Sequence, residues 1–165
     1  MSHYVKFTYQ RARPDIAPFD ALAELNACRR KLLPELTPTD CVRVVAYDFA
    51  MNWLRYEGAA IPSSESLTHA AIYESDLSTS AVIHCHDLGL WATLLDRVPT
   101  TSNAVPYGTP EIAYEIMRLF KVSDVRSGKI LVMAGHEAGI VTFGEDLKDA
   151  FNVLMRERSE SSPCI

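Results

Sequence analysis

The chain has 165 residues, 48% of them apolar, which suits one globular domain with a proper core. Its formal charge of −5 is spread without long runs, so there is no electrostatic ground for binding nucleic acid or an anionic membrane. No apolar span reaches the roughly eighteen residues of a transmembrane helix, and Ser2-His3-Tyr4-Val5-Lys6 turns polar directly after Met1, so the sequence reads as cytoplasmic.

Taken in order, Tyr4 to Tyr9 alternates and is rich in aromatic and β-branched residues, which predicts a first strand. Ala12 to Pro18 reads as a linker set by Pro14 and Pro18. Phe19, Leu22, Leu25, Cys28 and Leu32 recur at helical spacing, predicting a helix from Phe19 to Leu33 that Pro34 stops. Thr37-Pro38-Thr39-Asp40 is a turn. Cys41–Phe49 and Asn52–Gly58 read as a hairpin with its bend near Ala50-Met51-Asn52, a helix through Val45–Phe49 being the rival. Pro62 and Ser63 open a helix running to about Glu74.

Ala81 to His86 is short, apolar and β-branched, a buried strand. Asp87 starts a helix to about Asp96, and Pro99–Pro106 is loop. Thr109-Pro110-Glu111 combines a cap, a first-position proline and a first-turn acid, the start of a helix whose apolar set runs to Val122. Gly128-Lys129 turns the chain into a strand Ile130–Ala134, and Ile140–Phe143 is another. A last helix spans Glu145 to about Glu157, so the expected organisation is a single domain over 1–158 with a disordered tail, 159–165. The four cysteines, Cys28, Cys41, Cys85 and Cys164, show no staple or Cys-x-x-Cys spacing, so free thiols are expected, with Cys85 buried. Trp53 and Trp91 read as core or interface residues.

The chemistry-bearing residues concentrate between Ser63 and His86. Residues two apart on a strand share a face, so His84 and His86 can reach one metal ion while Cys85 points away. Glu65 and His69, four apart at a helix start, share a helical face. His136 sits in a turn between two apolar strands, where a side chain can aim into a cleft. Three histidines with an open position suit a catalytic divalent ion such as zinc.

These pieces resemble the class II aldolase/adducin family. The likeness rests on Pro62-Ser63-Ser64-Glu65 with His69-Ala70-Ala71-Ile72-Tyr73, on Ala81–His86, and on His136 ahead of Gly139–Phe151; it covers roughly Leu54 to Leu154, and Glu65 and His84 stand nineteen residues apart. The resemblance implies an α/β fold, a three-layer α/β/α sandwich around a mainly antiparallel sheet, assembled as a homotetramer. It implies zinc or another divalent transition metal on His84, His86 and His136, with Glu65 as the catalytic acid/base and Ser63 and Ser64 holding a substrate phosphate. It also implies that His69 is structural. The expected activity is a metal-dependent lyase that cleaves or rearranges a small sugar or sugar phosphate through an enediolate. The alternatives are an inactive binding or scaffold protein, as adducin is, or dehydratase or decarboxylase chemistry on the same metal platform.

The sequence departs from the family in two places. The Gly-Asn-x-Ser and Thr-Gly or Ser-Gly segments that help cradle phosphate are missing ahead of Ser63, and Glu137 replaces the glycine usual after the third ligand, with Gly139 two positions on. Tyr107 lies in the loop where aldolases carry a tyrosine proton donor, a few positions from its aligned place, and is the candidate for that role.

Overall fold

The computed structural model describes residues 8–13 and 36–161. The chain divides into two compact units, Met1–Leu67 with Gly108–Pro110, and Thr68–Tyr107 with Glu111–Ile165. Among the described residues no helix is long and apolar enough to cross a membrane. The helix expected over Phe19–Leu33 lies outside the described residues.

The first unit holds a three-stranded sheet in the order β1-β3-β2. Strand β1 is Thr8–Arg13, β2 is Arg43–Asp48 and β3 is Trp53–Glu57. The hairpin expected between β2 and β3 forms antiparallel. Its bend is closed by the Asn52 amide on the Phe49 carbonyl at 3.1 Å and the Met51 amide on Asp48 Oδ1 at 2.9 Å. Asn52 takes a left-handed φ of 46°, a conformation asparagine tolerates better than most residues. β1 runs parallel to β3, Thr8 opposite Trp53 and Arg13 near Glu57. It therefore runs through Ala12 and Arg13, which the sequence assigned to a linker, because β3 offers ladder partners there. Leu54 and Tyr56 point into the unit and are fully buried, with Val42 packed against them.

In the second unit the sheet order is β4-β6-β5, with β4 at Ala81–His86, β5 at Ile130–Val132 and β6 at Gly139–Gly144. Both pairings are antiparallel. With β2/β3 they make antiparallel pairing predominant, so the α/β class with mainly antiparallel sheet is borne out. Helices α1 (Ser66–Ser75), α2 (Leu88–Leu94), α3 (Pro110–Val122), α4 (Val125–Gly128) and α5 (Leu147–Glu160) and a short 3-10 turn at Pro38–Asp40 complete the described elements. α4 was not anticipated, because its four residues are too few to show a period.

Asp87 caps α2, its Oδ1 accepting the Leu90 amide at 3.1 Å, and Asp146 caps α5 through the Asp149 amide at 2.7 Å. Such caps are worth about 1 kcal/mol. α5 runs three residues past its expected end, so Ser159 and Glu160 are helical rather than the start of a tail. Leu90, Leu94, Ile130, Val132, Ile140 and Val153 form one buried cluster, against which Cys85, Trp91 and Leu154 pack. β6 is buried along its whole length, with Val141 and Phe143 fully enclosed. Truncating such a side chain to alanine costs about 2–5 kcal/mol, so the strand beside His84 and His86 is a stiff support.

Candidate metal centre

Strand β4 ends on His84-Cys85-His86, and pairing with β6 sets its register: His84 faces Val141, Cys85 faces Ile140 and His86 faces Gly139. Strand alternation puts both imidazoles on one face. Cys85 turns the other way into the α2 and β5 cluster, where burial pushes its thiol up to about 11. It packs against that cluster but is only half-buried, less enclosed than the buried position expected of it.

The third imidazole arrives on the turn between β5 and β6. The His136 amide donates to the Met133 carbonyl at 3.1 Å, the Gly139 amide to the His136 carbonyl at 2.8 Å, and the Met133 amide to the Gly139 carbonyl at 2.9 Å, so the loop is closed by its own backbone. A side chain on Gly139 would meet the His136 carbonyl at 2.9 Å and the His136 ring at 3.3 Å. Glycine here allows the backbone to pass close under the imidazole.

The three rings converge. Centroids are 4.9 Å apart for His84 and His86, 5.2 Å for His84 and His136, and 4.5 Å for His86 and His136. One ring nitrogen from each lies within 4.8 Å of the others. Burial first, then the neighbouring His136, His69 and His86, push the His84 imidazole down to about 3. It is therefore held neutral, the form that can donate an electron pair to a metal. His84 Nε2 is buried and takes no hydrogen bond. An unsatisfied buried nitrogen costs about 1–3 kcal/mol, and its position inside a three-imidazole cluster fits a ligand atom. Imidazole donors suit zinc, copper, iron or nickel, so the residues present fit a divalent transition metal.

His69 falls close enough for its charge to act on His84, and burial pushes its own imidazole down to about 4. It is not part of the group of convergent ligand nitrogens. Tyr107 also reaches the centre: its ring lies flat on that of His136, centroids 3.9 Å apart and planes within 15°.

Ser63, Ser64 and Glu65 belong to the first unit. The sequence placed Glu65 in the first helical turn, but α1 starts at Ser66, and Ser64 and Glu65 occupy the turn before it. Helical spacing therefore does not set how Glu65 relates to His69. The displacement has a local cause. The Ser63 hydroxyl accepts the Glu65 amide at 3.2 Å and its carbonyl accepts the Ser66 amide at 3.1 Å and the Ser66 hydroxyl at 2.7 Å, a serine turn that competes with helix over these residues. Glu65 is only 2% exposed, an unusual place for a carboxyl group.

What the sequence missed is the frame around His136. The Trp91 indole donates to the Met133 carbonyl at 3.1 Å, and Thr101, 2% exposed, accepts the Ala134 amide at 3.1 Å on its hydroxyl. Trp91 offered a weak signal as an indole on a short helix next to the His-x-His strand. Thr101, inside a loop, offered none.

The model of the Class II Aldolase and Adducin N-terminal domain matches residues 27–156. No curated protein matches. Among solved structures, the fold is similar to the crystal structure of YgbL from Escherichia coli, described as "a putative aldolase/epimerase/decarboxylase". The TM-score is 0.55 at 21% identity, over 76% of this chain and 64% of that one. The chain thus spans under two thirds of the length of the structure it resembles.

Proposed function

Since the chain belongs to the class II aldolase and adducin N-terminal domain family, we propose that it is a metal-dependent lyase acting on a small hydroxy-carbonyl compound, a sugar or sugar phosphate. The observation that carries this reading is the convergence of three imidazole nitrogens, one from each of His84, His86 and His136, within 4.8 Å of one another. A divalent ion held by these three, zinc in our reading, supplies a Lewis acid that favours negative charge developing on a substrate oxygen. Three protein ligands leave a position for substrate, as in catalytic rather than structural sites.

The remaining work falls to the chain's own groups. Glu65 is assigned the proton transfer next to the substrate carbonyl, a role supported by its burial at 2% exposure, an unusual place for a carboxyl group with no task. Ser63 and Ser64 are assigned the substrate's anionic end. The Ser63 hydroxyl already accepts one amide, which leaves its proton free to donate. Tyr107 is assigned, through its hydroxyl, the proton exchanged with the substrate oxygen next to the bond that breaks: donated to that oxygen in condensation and received from it in cleavage. Family likeness alone supports a homotetrameric working form.

The test is metal analysis of the purified protein coupled to a product screen over ketose phosphates, repeated on Glu65→Gln. The expected result is stoichiometric divalent metal in both proteins and carbon–carbon cleavage products only in the parent. Turnover surviving in Glu65→Gln overturns the role of Glu65. A parent protein that binds no divalent metal overturns the lyase reading.

A further inference from the structure

We infer that Tyr107 is a positioning residue of the metal centre: its ring fixes the plane in which His136 presents a nitrogen to the pair on β4. This rests on the reading of His84, His86 and His136 as metal ligands.

The three imidazoles are not held alike. His84 and His86 stand on a strand whose register is locked on β6, so their directions follow from the backbone. His136 comes from a turn, not from a strand whose register is set by a partner, and the terminal torsion of a histidine is broad. The flat ring of Tyr107, 3.9 Å away and tilted only 15°, supplies that constraint. With one face of His136 covered, its ring plane is constrained, and in that plane one of its nitrogens lies within 4.8 Å of those of His84 and His86, whose rings cross it at 40° and 75°.

A platform must itself be fixed, and this one is. The segment leading to Tyr107 is tied to the His136 loop by the Thr101 amide on the Val132 carbonyl at 2.9 Å and by the Ala134 amide on the Thr101 hydroxyl at 3.1 Å. Nearer Tyr107, the backbone at Val105 passes so close to Gly135 that a Cβ there would fall 2.1 Å from the Val105 carbonyl oxygen. These contacts join the two loops, so the ring on one constrains the ligand on the other. The face of the ring performs this task and the hydroxyl does not, which makes phenylalanine a sufficient replacement and an aliphatic side chain insufficient.

The experiment is a cobalt(II) titration of the full chain, read by visible absorption, with zinc competition for affinity, on the parent protein and on Tyr107→Phe, Tyr107→Leu and Tyr107→Ala. Partners that orient a metal-bound histidine typically change metal affinity roughly 10- to 100-fold when removed. The expected result is parent-like affinity and cobalt spectrum for Tyr107→Phe. Tyr107→Leu, which keeps a branched apolar side chain in the loop but no ring face, is expected to lose affinity by about 10-fold or more with an altered spectrum, and Tyr107→Ala at least as much. If Tyr107→Leu keeps the parent affinity and spectrum, the inference is overturned. It is equally overturned if Tyr107→Phe falls with the other two, since the hydroxyl is then the active part. A parent protein that takes up no cobalt or zinc overturns the ligand reading itself, an outcome separate from failure of the platform alone.

Discussion

The Met133 carbonyl oxygen accepts two donors at 3.1 Å, the Trp91 indole and the His136 amide. Helix α2 is thereby joined to the loop that carries the third imidazole, and α2 follows directly on His86 through its cap Asp87. The two pieces of the centre, more than forty residues apart in sequence, meet at one oxygen atom.

Replacing Trp91 with phenylalanine removes the indole donor but leaves Met133 its bond from His136. The expected loss is small, about 0.5–1.5 kcal/mol of stability by urea denaturation. Metal affinity should fall by less than the roughly 10-fold seen when a ligand's direct partner is lost. Unchanged affinity and stability together would show that the indole bond contributes nothing to holding the loop.

Metal that binds only the folded chain stabilises it by mass action, about 2.7 kcal/mol at a hundred times the dissociation constant. For a chain of this size that corresponds to a fall in Tm of about 5–10 °C when the ion is stripped by a chelator. His84→Ala, His86→Ala and His136→Ala should each abolish the chelator effect, as read by calorimetry with and without chelator. A chelator shift that persists in all three variants would place the ion elsewhere.

Away from the centre, Asp76 closes the end of α1. Its carboxylate accepts the Ser78 hydroxyl at 2.8 Å and the Ser78 amide at 3.2 Å, and pairs with Arg126 at 3.0 Å, its side chain being 10% exposed. Burial alone raises the proton affinity of Asp76, but the Ser78 bonds and Arg126 outweigh it and hold the carboxyl below its ordinary range. A carboxyl lowered on folding contributes stability that is present above its unfolded pKa of about 3.9 and is lost as pH falls through the folded value. Asp76→Asn should therefore cost about 1–3 kcal/mol at pH 7 and flatten the loss of stability below pH ~4. Urea midpoints at pH 7, 5 and 3 decide it: an unchanged difference between parent and variant across that range removes the charge from the explanation.

The sequence revealed most where a residue's direction follows from its own element. Ala81–His86 was bounded correctly because six apolar or metal-competent residues with β-branched neighbours leave little choice, and alternation then put Cys85 opposite the histidines. His136 was picked out because a histidine between two apolar strands has no core to join. Less was legible where tertiary contacts decide. β1 continues to Arg13 because β3 offers partners, and α1 starts late because Ser63 turns the chain on itself. Tyr107 was placed in the right loop but its ring contact depends on two loops meeting, and Thr101 and Gly135, which fasten those loops, carry no pattern of their own.

That fastening gives the sharpest steric contrast in the chain. At Gly135 a Cβ would stand 2.1 Å from the Val105 carbonyl oxygen and 3.0 Å from its carbon, both backbone atoms with nowhere to retreat. At Gly89 the nearest atom a Cβ would meet is Asp87 Oδ1 at 3.7 Å, ordinary contact, and Gly89 lies inside α2. Gly89→Ala should thus be neutral or stabilising by up to about 1 kcal/mol, the helix preference of alanine over glycine. Gly135→Ala forces the Val105 and Ala134 segments apart, a clash of the overpacking kind that costs typically 1–3 kcal/mol. Because the same displacement carries Tyr107 away from His136, metal affinity should fall in Gly135→Ala and stay level in Gly89→Ala. Measuring both by urea denaturation and metal titration separates the effects. A Gly135→Ala protein with parent stability and parent metal affinity would mean that the loops are free to slide, and that the His136 ring is oriented by something other than its neighbours across this contact.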